Sequence, residues 1–273
     1  MRGSGQGGAA IAALPPGWRL EVHAALPSTS DLLRVRAEAG EAPGLAILAR
    51  EQTAGRGRAG RAWASPPGNL FLSVLLRPSG PAREAPQWSL LAGVALAETA
   101  AELVPDPAAL RLKWPNDLLL GGAKAAGILA ETALSPCGGI AWLTLGFGVN
   151  LAQAPALPDR PTTTLGRPMM PEDFAAALLA RLAAWSSVPA AEGFAPVRAA
   201  WRRFGPAEGE AIIVRGLAGP GHFAGLAGDG SLLLDIDGTR RSISAGEILS
   251  QGERRGHAAR HRCGEHQCRL RRP

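Results

Sequence analysis

The chain has 273 residues, of which 46% are apolar, and a formal charge of +6 at neutral pH. That length holds one large domain, or a large one with a small one, and that apolar share rules out a globally disordered chain. The charge does not mark a nucleic-acid surface: residues 252–273 hold seven arginines and two glutamates, five of the six net charges, which leaves the body nearly neutral.

Residues 1–16, rich in Gly and Ala and ending in Pro15-Pro16, read as a flexible leader whose six-residue apolar run at 9–14 is too short for a secretory core. Residues 18–22 alternate weakly as a first strand. Ser28-Thr29-Ser30-Asp31 offers N-caps for a helix that Gly40 stops. Leu45–Ala49 reads as a short strand feeding a Gly/Arg-rich loop over about 53–69, and Leu70–Leu76 reads as a buried strand. A helix over about 86–103 is closed by Pro105. Strands follow near 109–114, 117–120, 126–132 and 140–147, then helices near 171–186 and 191–204. No run approaches the roughly 18 uninterrupted apolar residues of a membrane span.

Helices enter between groups of strands rather than after each strand, which is the pattern of an α+β fold with a mixed sheet. This main domain is expected over 17–205. After Gly205-Pro206 the texture changes to short strand-like runs at 211–214, 232–236 and 241–243 separated by glycines, so a small all-β module is expected over 206–251. The tail over 252–273 is polar and expected to be disordered, and its His257, His261, Cys263, His266 and Cys268 lack the spacing of a zinc site. With Cys137 these make three cysteines, too few for a disulfide framework in a chain this long; the chain reads as cytoplasmic.

Two scarcities point to the chemistry. Lys113 and Lys124 are the only lysines against 27 arginines, and Asn69, Asn116 and Asn150 are the only asparagines. Three segments carry the candidate chemistry, and the second and third hold both lysines, Asn116 and Asn150. In the first, Gly55 to Gly60 matches G-x-G-x-x-G, but Ser65-Pro66-Pro67-Gly68 forbids the helix a dinucleotide fingerprint must open. What remains is a loop with Arg56, Arg58 and Arg61, whose glycines let backbone amides approach an anion while the guanidiniums bind it; a plain solvated loop is the alternative. In the second, Lys113-Trp114-Pro115-Asn116-Asp117 is followed closely by Lys124 and Gly127-Ile128-Leu129. A lysine ammonium is a compact charge suited to an oxygen whose charge grows during reaction. Asp117 is a candidate ligand for Mg²⁺, or else a turn aspartate. In the third, Gly146-Phe147-Gly148-Val149-Asn150, the glycines allow a flat ring against backbone, and one amide can read a base edge.

Together, Ser28-Thr29-Ser30, the segment 52–63, Ser65-Pro66 with Gly68-Asn69-Leu70, Lys113 to Asp117, Lys124 with Gly127-Ile128-Leu129, and Gly148-Val149-Asn150 resemble biotin protein ligases in order and spacing. The resemblance covers about residues 25–250 and contains every lysine and asparagine of the chain. It implies a mixed-sheet catalytic domain of the biotin/lipoate ligase type and a C-terminal SH3-like β-barrel. It also implies that Ser28, Thr29 and Gln52 line a biotin pocket, that Gly55, Arg56, Gly57 and Arg58 close over biotin and its activated form, and that Trp63 packs beside adenine. Lys124 matches the family lysine at the biotin carboxylate and reacting phosphate, and Asn150 the residue at adenine. Asn116 and Asp117 fall in the segment near the phosphates and Mg²⁺, and Lys113 and Gly127 join the residues expected to bind biotin or ATP.

The implied activity is activation of biotin by ATP as biotinyl-5′-AMP, then transfer to a lysine of a biotin carboxyl carrier protein or domain, by a monomer or homodimer. Arg56, Arg58, Lys124 and Mg²⁺ would neutralise two anions that repel each other. A lipoate-attaching enzyme of the same fold and a non-catalytic biotin-binding module are the alternatives. Some members of this family carry an N-terminal helix-turn-helix. Only about 27 residues precede Ser28 here, so the expectation is a ligase without specific DNA binding and without a membrane partner.

Overall fold

The computed structural model describes residues 13–249 other than 168 and 218. The tail at 252–273, with its histidines and cysteines, and most of the leader lie outside the described residues. The main body runs β1 (Arg19–His23), α1 (Thr29–Glu38), β2 (Leu45–Ala49), β3 (Leu70–Leu76), α2 (Ala85–Ala101), β4 (Leu110–Lys113), β5 (Asp117–Leu120), β6 (Ala123–Leu134), β7 (Ile140–Val149), α3 (Pro171–Glu192) and α4 (Ala195–Phe204). Its seven strands form one sheet in the order β1-β2-β3-β7-β6-β5-β4, with β1–β2 parallel and the other pairs antiparallel. The α+β reading with a mixed sheet holds.

Strand alternation divides the sheet into two faces. On β7, Leu143, Leu145, Phe147 and Val149 join the large core under α2, α3 and α4, whereas Trp142 turns to the opposite face and packs with Leu33 and Ala37 of α1. Both faces are covered along β2 and β3, which is why these strands are buried throughout and read as unbroken apolar runs. Ser28 caps α1 by accepting from the Asp31 amide at 3.3 Å, and Gly40 follows its end at φ +89°.

α3 outlasts the expected end near 186 and continues to Glu192 with Pro189 inside it. Pro189 stands inside the last turn, where the Trp185 carbonyl goes without its i→i−4 donor, and Gly193 at φ +68° ends the helix. By length and composition α3 could cross a membrane. It is instead a core helix: Phe174, Leu178, Leu179 and Leu182 are fully buried, and the ion pairs Glu172–Arg50 and Arg181–Glu102 tie it to the body.

The C-terminal residues form a second, antiparallel sheet in the order β11-β10-β9-β8, from β8 (Ala211–Ile212), β9 (Gly221–Leu226), β10 (Leu232–Ile236) and β11 (Thr239–Ile243). β9 was not foreseen. Its inward positions are Gly221, Phe223 and Gly225, and the apolar signal fails because Gly221 lies under β10, where a Cβ would come within 2.9 Å of Ile236 Cγ1. The module shares the main core through Ile212, Val214, Phe223, Leu232, Leu234 and Ile248. Trp201 of α4 meets the Phe223 ring at 6.4 Å, and the Trp114 indole donates to the Gly230 carbonyl at 3.2 Å.

Asn69, the asparagine just before β3, explains its own persistence. Its buried Oδ1 accepts from the amides of Leu151, Ala152 and Gln153 at 2.9–3.0 Å, and its Nδ2 donates to the Gln153 carbonyl at 2.8 Å. Asn69→Ala leaves three amides without this acceptor and is expected to destabilise the protein by about 3 kcal/mol in chemical denaturation. Asn69→Asp, which keeps the acceptor, should lose less.

Candidate active site

One cleft opens on the α1 side of the sheet, where β6 and β7 carry Gly127, Gly146 and Gly148. Gly127 lies opposite Gly148 in the β6–β7 register. A Cβ at Gly148 would stand 2.4 Å from Trp63 Cε2, and one at Gly127 2.9 Å from Trp63 Cζ3, so the indole rests directly on both glycines. Trp63 closes the Gly/Arg-rich segment, which is a hairpin: the Gly57 amide donates to the Arg61 carbonyl at 2.7 Å and the Trp63 amide to the Gly55 carbonyl at 2.9 Å. A 3-10 turn at Arg58–Gly60 forms its tip. No helix follows, and the chain passes into β3.

At one end of the cleft the hydroxyls form an ordered relay. Gln52 Oε1 accepts from the Thr29 amide at 2.9 Å and from Thr29 Oγ1 at 3.2 Å. With its one proton so used, Thr29 accepts from Ser73 Oγ at 2.8 Å, and Ser73 in turn accepts from Ser30 Oγ at 3.1 Å. Gln52 Nε2 donates to Ser65 Oγ at 3.1 Å. Its amide orientation is thereby fixed.

At the other end lie the cations. A β-bulge in β6 opposite Leu118/Leu119 inserts Ala125 and turns Lys124 onto the cleft face, with Nζ 2.7 Å from Asp117 Oδ1 and 5.2 Å from the Trp63 ring centroid. Arg160 lines the same end, 5% exposed; its guanidinium is 3.7 Å from Asp117 Oδ2 and bonds Asp159 at 2.6 Å and Glu247 at 3.1 Å. Arg61 bonds Glu247 at 3.0 Å. Arg58 Nη1 donates to Asn116 Oδ1 at 3.1 Å, while Arg56 reaches Glu131 at 2.6 Å and Asp31 at 3.4 Å. Burial alone would raise the Glu247 pKa, but its hydrogen bonds and charge pairing with Arg61 and Arg160 outweigh it and lower the value from 4.5 to about 2. The Arg160 hydrogen bond likewise holds Asp159 below the usual carboxylate range.

Ser28, Thr29, Gln52, Arg56, Gly57, Arg58, Trp63, Asn116, Asp117, Lys124, Gly127 and Asn150 all line this cleft. Two expected residues do not. Gly55 sits at the hairpin base, where a Cβ would come within 2.6 Å of the Trp63 carbonyl, and Lys113 is buried in β4 opposite Asp117. Asp117, expected as a Mg²⁺ ligand, has its two oxygens facing Lys124 and Arg160. Among the described residues no group of three or more His, Cys, Asp or Glu could hold a metal. Asn150 Nδ2 donates to the Thr163 carbonyl at 3.1 Å and so also braces the neighbouring loop. Ser30, Ser73, Arg160 and Glu247 were missed. Ser30 was readable, standing in the quoted Ser-Thr-Ser run; an arginine in an Arg-rich chain and a glutamate far along it gave no signal.

This mixed-sheet fold, with its glycine-floored cleft and Arg-rich hairpin, is that of the biotin/lipoate ligase class. The model of the Biotin/lipoate A/B protein ligase family matches residues 23–149. A "Biotin--[acetyl-CoA-carboxylase] ligase" of Paracoccus denitrificans is 40% identical over 226 residues, 77% of this chain and 94% of that protein. The Aquifex aeolicus biotin protein ligase in complex with biotin and ATP superposes with a TM-score of 0.70 at 27% identity, covering 84% of this chain and 97% of that one. The Leishmania major ligase in complex with biotinyl-5-AMP gives 0.58 at 26% identity, covering 85% of this chain and 100% of that one. The chain belongs to the biotin protein ligase family.

Gly148→Ala has no room beneath Trp63, so the indole must leave the sheet; the near-ultraviolet circular dichroism should change while the far-ultraviolet spectrum stays. The lowered pKa of Glu247 carries a pH signature. Its stabilisation is complete above pH 4.5, the unperturbed value, and is lost as pH falls toward about 2. The stability gap between wild type and Glu247→Gln should therefore close over that window.

Proposed function

We propose that this chain joins biotin to ATP to give biotinyl-5′-AMP and pyrophosphate, then passes the biotinyl group to a lysine ε-amine of a biotin carboxyl carrier domain. The observation that carries this reading is the setting of Lys124, held by Asp117 at the rim of a glycine-floored cleft lined by Arg58, Arg61 and Arg160. In the first step a biotin carboxylate oxygen attacks the α-phosphorus, and the bond to the bridging oxygen of the leaving pyrophosphate breaks. Both reactants are anions, and fixed cations already in place lower the barrier without reorganising. In the second step the ε-amine attacks the acyl carbon, the bond to AMP breaks, and the amine proton is released.

The hydroxyl relay ending in Thr29 and Gln52, with Ser28 beside it, supplies fixed donors and acceptors for the biotin ring. Trp63 and Asn150 serve the nucleotide, and Lys124 with Arg58 meets the reacting carboxylate and phosphate. Arg56, engaged by Asp31 and Glu131, anchors the hairpin that screens the mixed anhydride from water. Bound Mg²⁺ would screen phosphate charge. Since Asp117 is already paired with Lys124 and Arg160, nucleotide oxygens would supply most of the ion's ligands. The C-terminal module over 206–251 is assigned as the family's SH3-like domain beside the catalytic domain over 17–205. A cytoplasmic carboxylase carrier is the macromolecular partner, with no specific DNA; the near-neutral body supports this.

Exchange of labelled pyrophosphate into ATP should require biotin, and exchange without biotin would overturn the assignment. Lys124→Arg should slow it by about a hundredfold or more while the fold persists, because a planar fork does not replace the ammonium between Asp117 and the reacting oxygens.

A further inference from the structure

The hydroxyls of the relay carry their protons in one direction, and two backbone groups set it. Ser65 Oγ lies 3.1 Å from the Trp63 carbonyl, which can only accept, so Ser65 gives its proton there and accepts from Gln52 Nε2 at 3.1 Å. At the other end of the same amide the Thr29 N–H, which can only donate, lies 2.9 Å from Gln52 Oε1. Gln52 is thus oriented from both sides, and Thr29 Oγ1, 3.2 Å from the same Oε1, has to donate to it. Donation from Ser73 to Thr29 at 2.8 Å and from Ser30 to Ser73 at 3.1 Å then follows.

Every hydroxyl proton of Thr29, Ser73 and Ser30 is consumed inside the relay. Thr29 and Ser30 line the cleft and turn lone pairs to it, whereas Ser73 does not line the cleft and is fully buried. These acceptors stand over the glycine floor. Ser73 is paired with Gly146 in the β3–β7 register, and a Cβ at Gly146 would come 2.9 Å from Ser30 Oγ and 3.5 Å from Ser73 Oγ. A flat ring on Gly146 therefore meets acceptors at a spot where Thr29 and Ser30 are 3% and 7% exposed, and water competes little for them.

We propose that Ser73 is a positioning residue that keeps the lone pairs of Thr29 and Ser30 toward the cleft, which makes this wall selective for a ring presenting N–H donors, as the cyclic urea of biotin does. In Ser73→Ala the Ser30 proton loses its acceptor and swings into the cleft, where it opposes a ring N–H. A ring without N–H groups, such as a dithiolane, leaves the buried acceptors unpaired and is rejected for that reason.

This inference rests on the proposed use of biotin, and the test keeps the two apart. Wild type, Ser73→Ala and Ser30→Ala, each as the full chain, are titrated calorimetrically with biotin and with the two cyclic carbamates in which one or the other ureido N–H is replaced by oxygen. Melting temperatures are recorded alongside. Wild type should bind at least one carbamate about a hundredfold more weakly than biotin, because an oxygen then faces a lone pair. In Ser73→Ala that penalty should shrink to about tenfold or less, since biotin has lost an acceptor and the carbamate has gained a donor. Ser30→Ala, which removes the lone pairs themselves, should shrink it as well. In biotin-dependent pyrophosphate exchange, Ser73→Ala should raise KM for biotin about tenfold and leave KM for ATP within about twofold. A carbamate penalty as large in Ser73→Ala as in wild type, or a matching rise in KM for ATP, would overturn the role of Ser73. A wild-type protein that does not bind biotin would overturn the underlying function instead. If Ser73→Ala lowers the melting temperature severely, Ser30→Ala decides by the same comparison of biotin with its carbamates.

Discussion

Three glycines on adjacent strands keep one patch of the central sheet bare, and the rest of the site depends on that bareness. Elsewhere the same face is filled: Trp142, Leu75 and Ile47 pack beneath α1. At Gly127, Gly146 and Gly148 the side chains that would continue this packing are missing, and a ring can lie on backbone. The clearance is small. Cβ atoms there would meet Trp63 or Ser30 at 2.4–2.9 Å, so even alanine is excluded without movement. Because side chains alternate along a strand, this bare patch also fixes which neighbours can be site residues. Ser73 of β3 is opposite Gly146, and Phe71 opposite Gly148.

Collecting cations beside such a patch has an electrostatic cost, and the structure shows how it is contained. Each positive group is matched before any anion arrives: Arg56 by Asp31 and Glu131, Arg58 by Asn116, Arg61 and Arg160 by Glu247, Lys124 by Asp117. These pairs differ in weight. Lys124–Asp117 is mostly buried, at 14% and 8% side-chain exposure, and water screens it little; Arg56 is 39% exposed, so water screens its pairs more. An entering polyanion exchanges partners instead of finding bare charges. The affinity it gains is a difference between two sets of interactions, which makes the hairpin arginines easier to recruit than Lys124 is to displace.

Most of the fold was legible because the strands of the main sheet lie close to glycine or proline, and each helix opens on a serine cap or on a proline in its first turn. The cleft was legible because rare residues and glycines mark it. What sequence could not convey was pairing across long separations. Nothing near Glu247 announces that it meets Arg61, which is 186 positions away, or Arg160. β9 failed for a local reason, since two of its three inward positions are glycine. Asp117 was read as a candidate for Mg²⁺; what its neighbourhood in sequence does not convey is that Lys124 of the adjacent strand lies 2.7 Å from it.

Lys124 shows how a single backbone irregularity decides function. With strict alternation from Gly127 and Leu129, which face the cleft, Lys124 would share the face of Ala126 and Ile128 and point into the apolar core. Burying an unpaired ammonium there would cost more than the domain's margin of stability allows. The bulge between Leu118 and Leu119 on β5 and Lys124 and Ala126 on β6 places two β6 residues against one step, and the surplus residue, Ala125, is small and fully buried. The parity of the strand changes at that point, so the residue before Ala125 faces the cleft. The Ala-Ala pair between Lys124 and Gly127 is therefore as necessary as the lysine: larger side chains at the bulge would not fit the core, and one residue fewer would turn the ammonium away from Asp117 and from the bare patch that needs it.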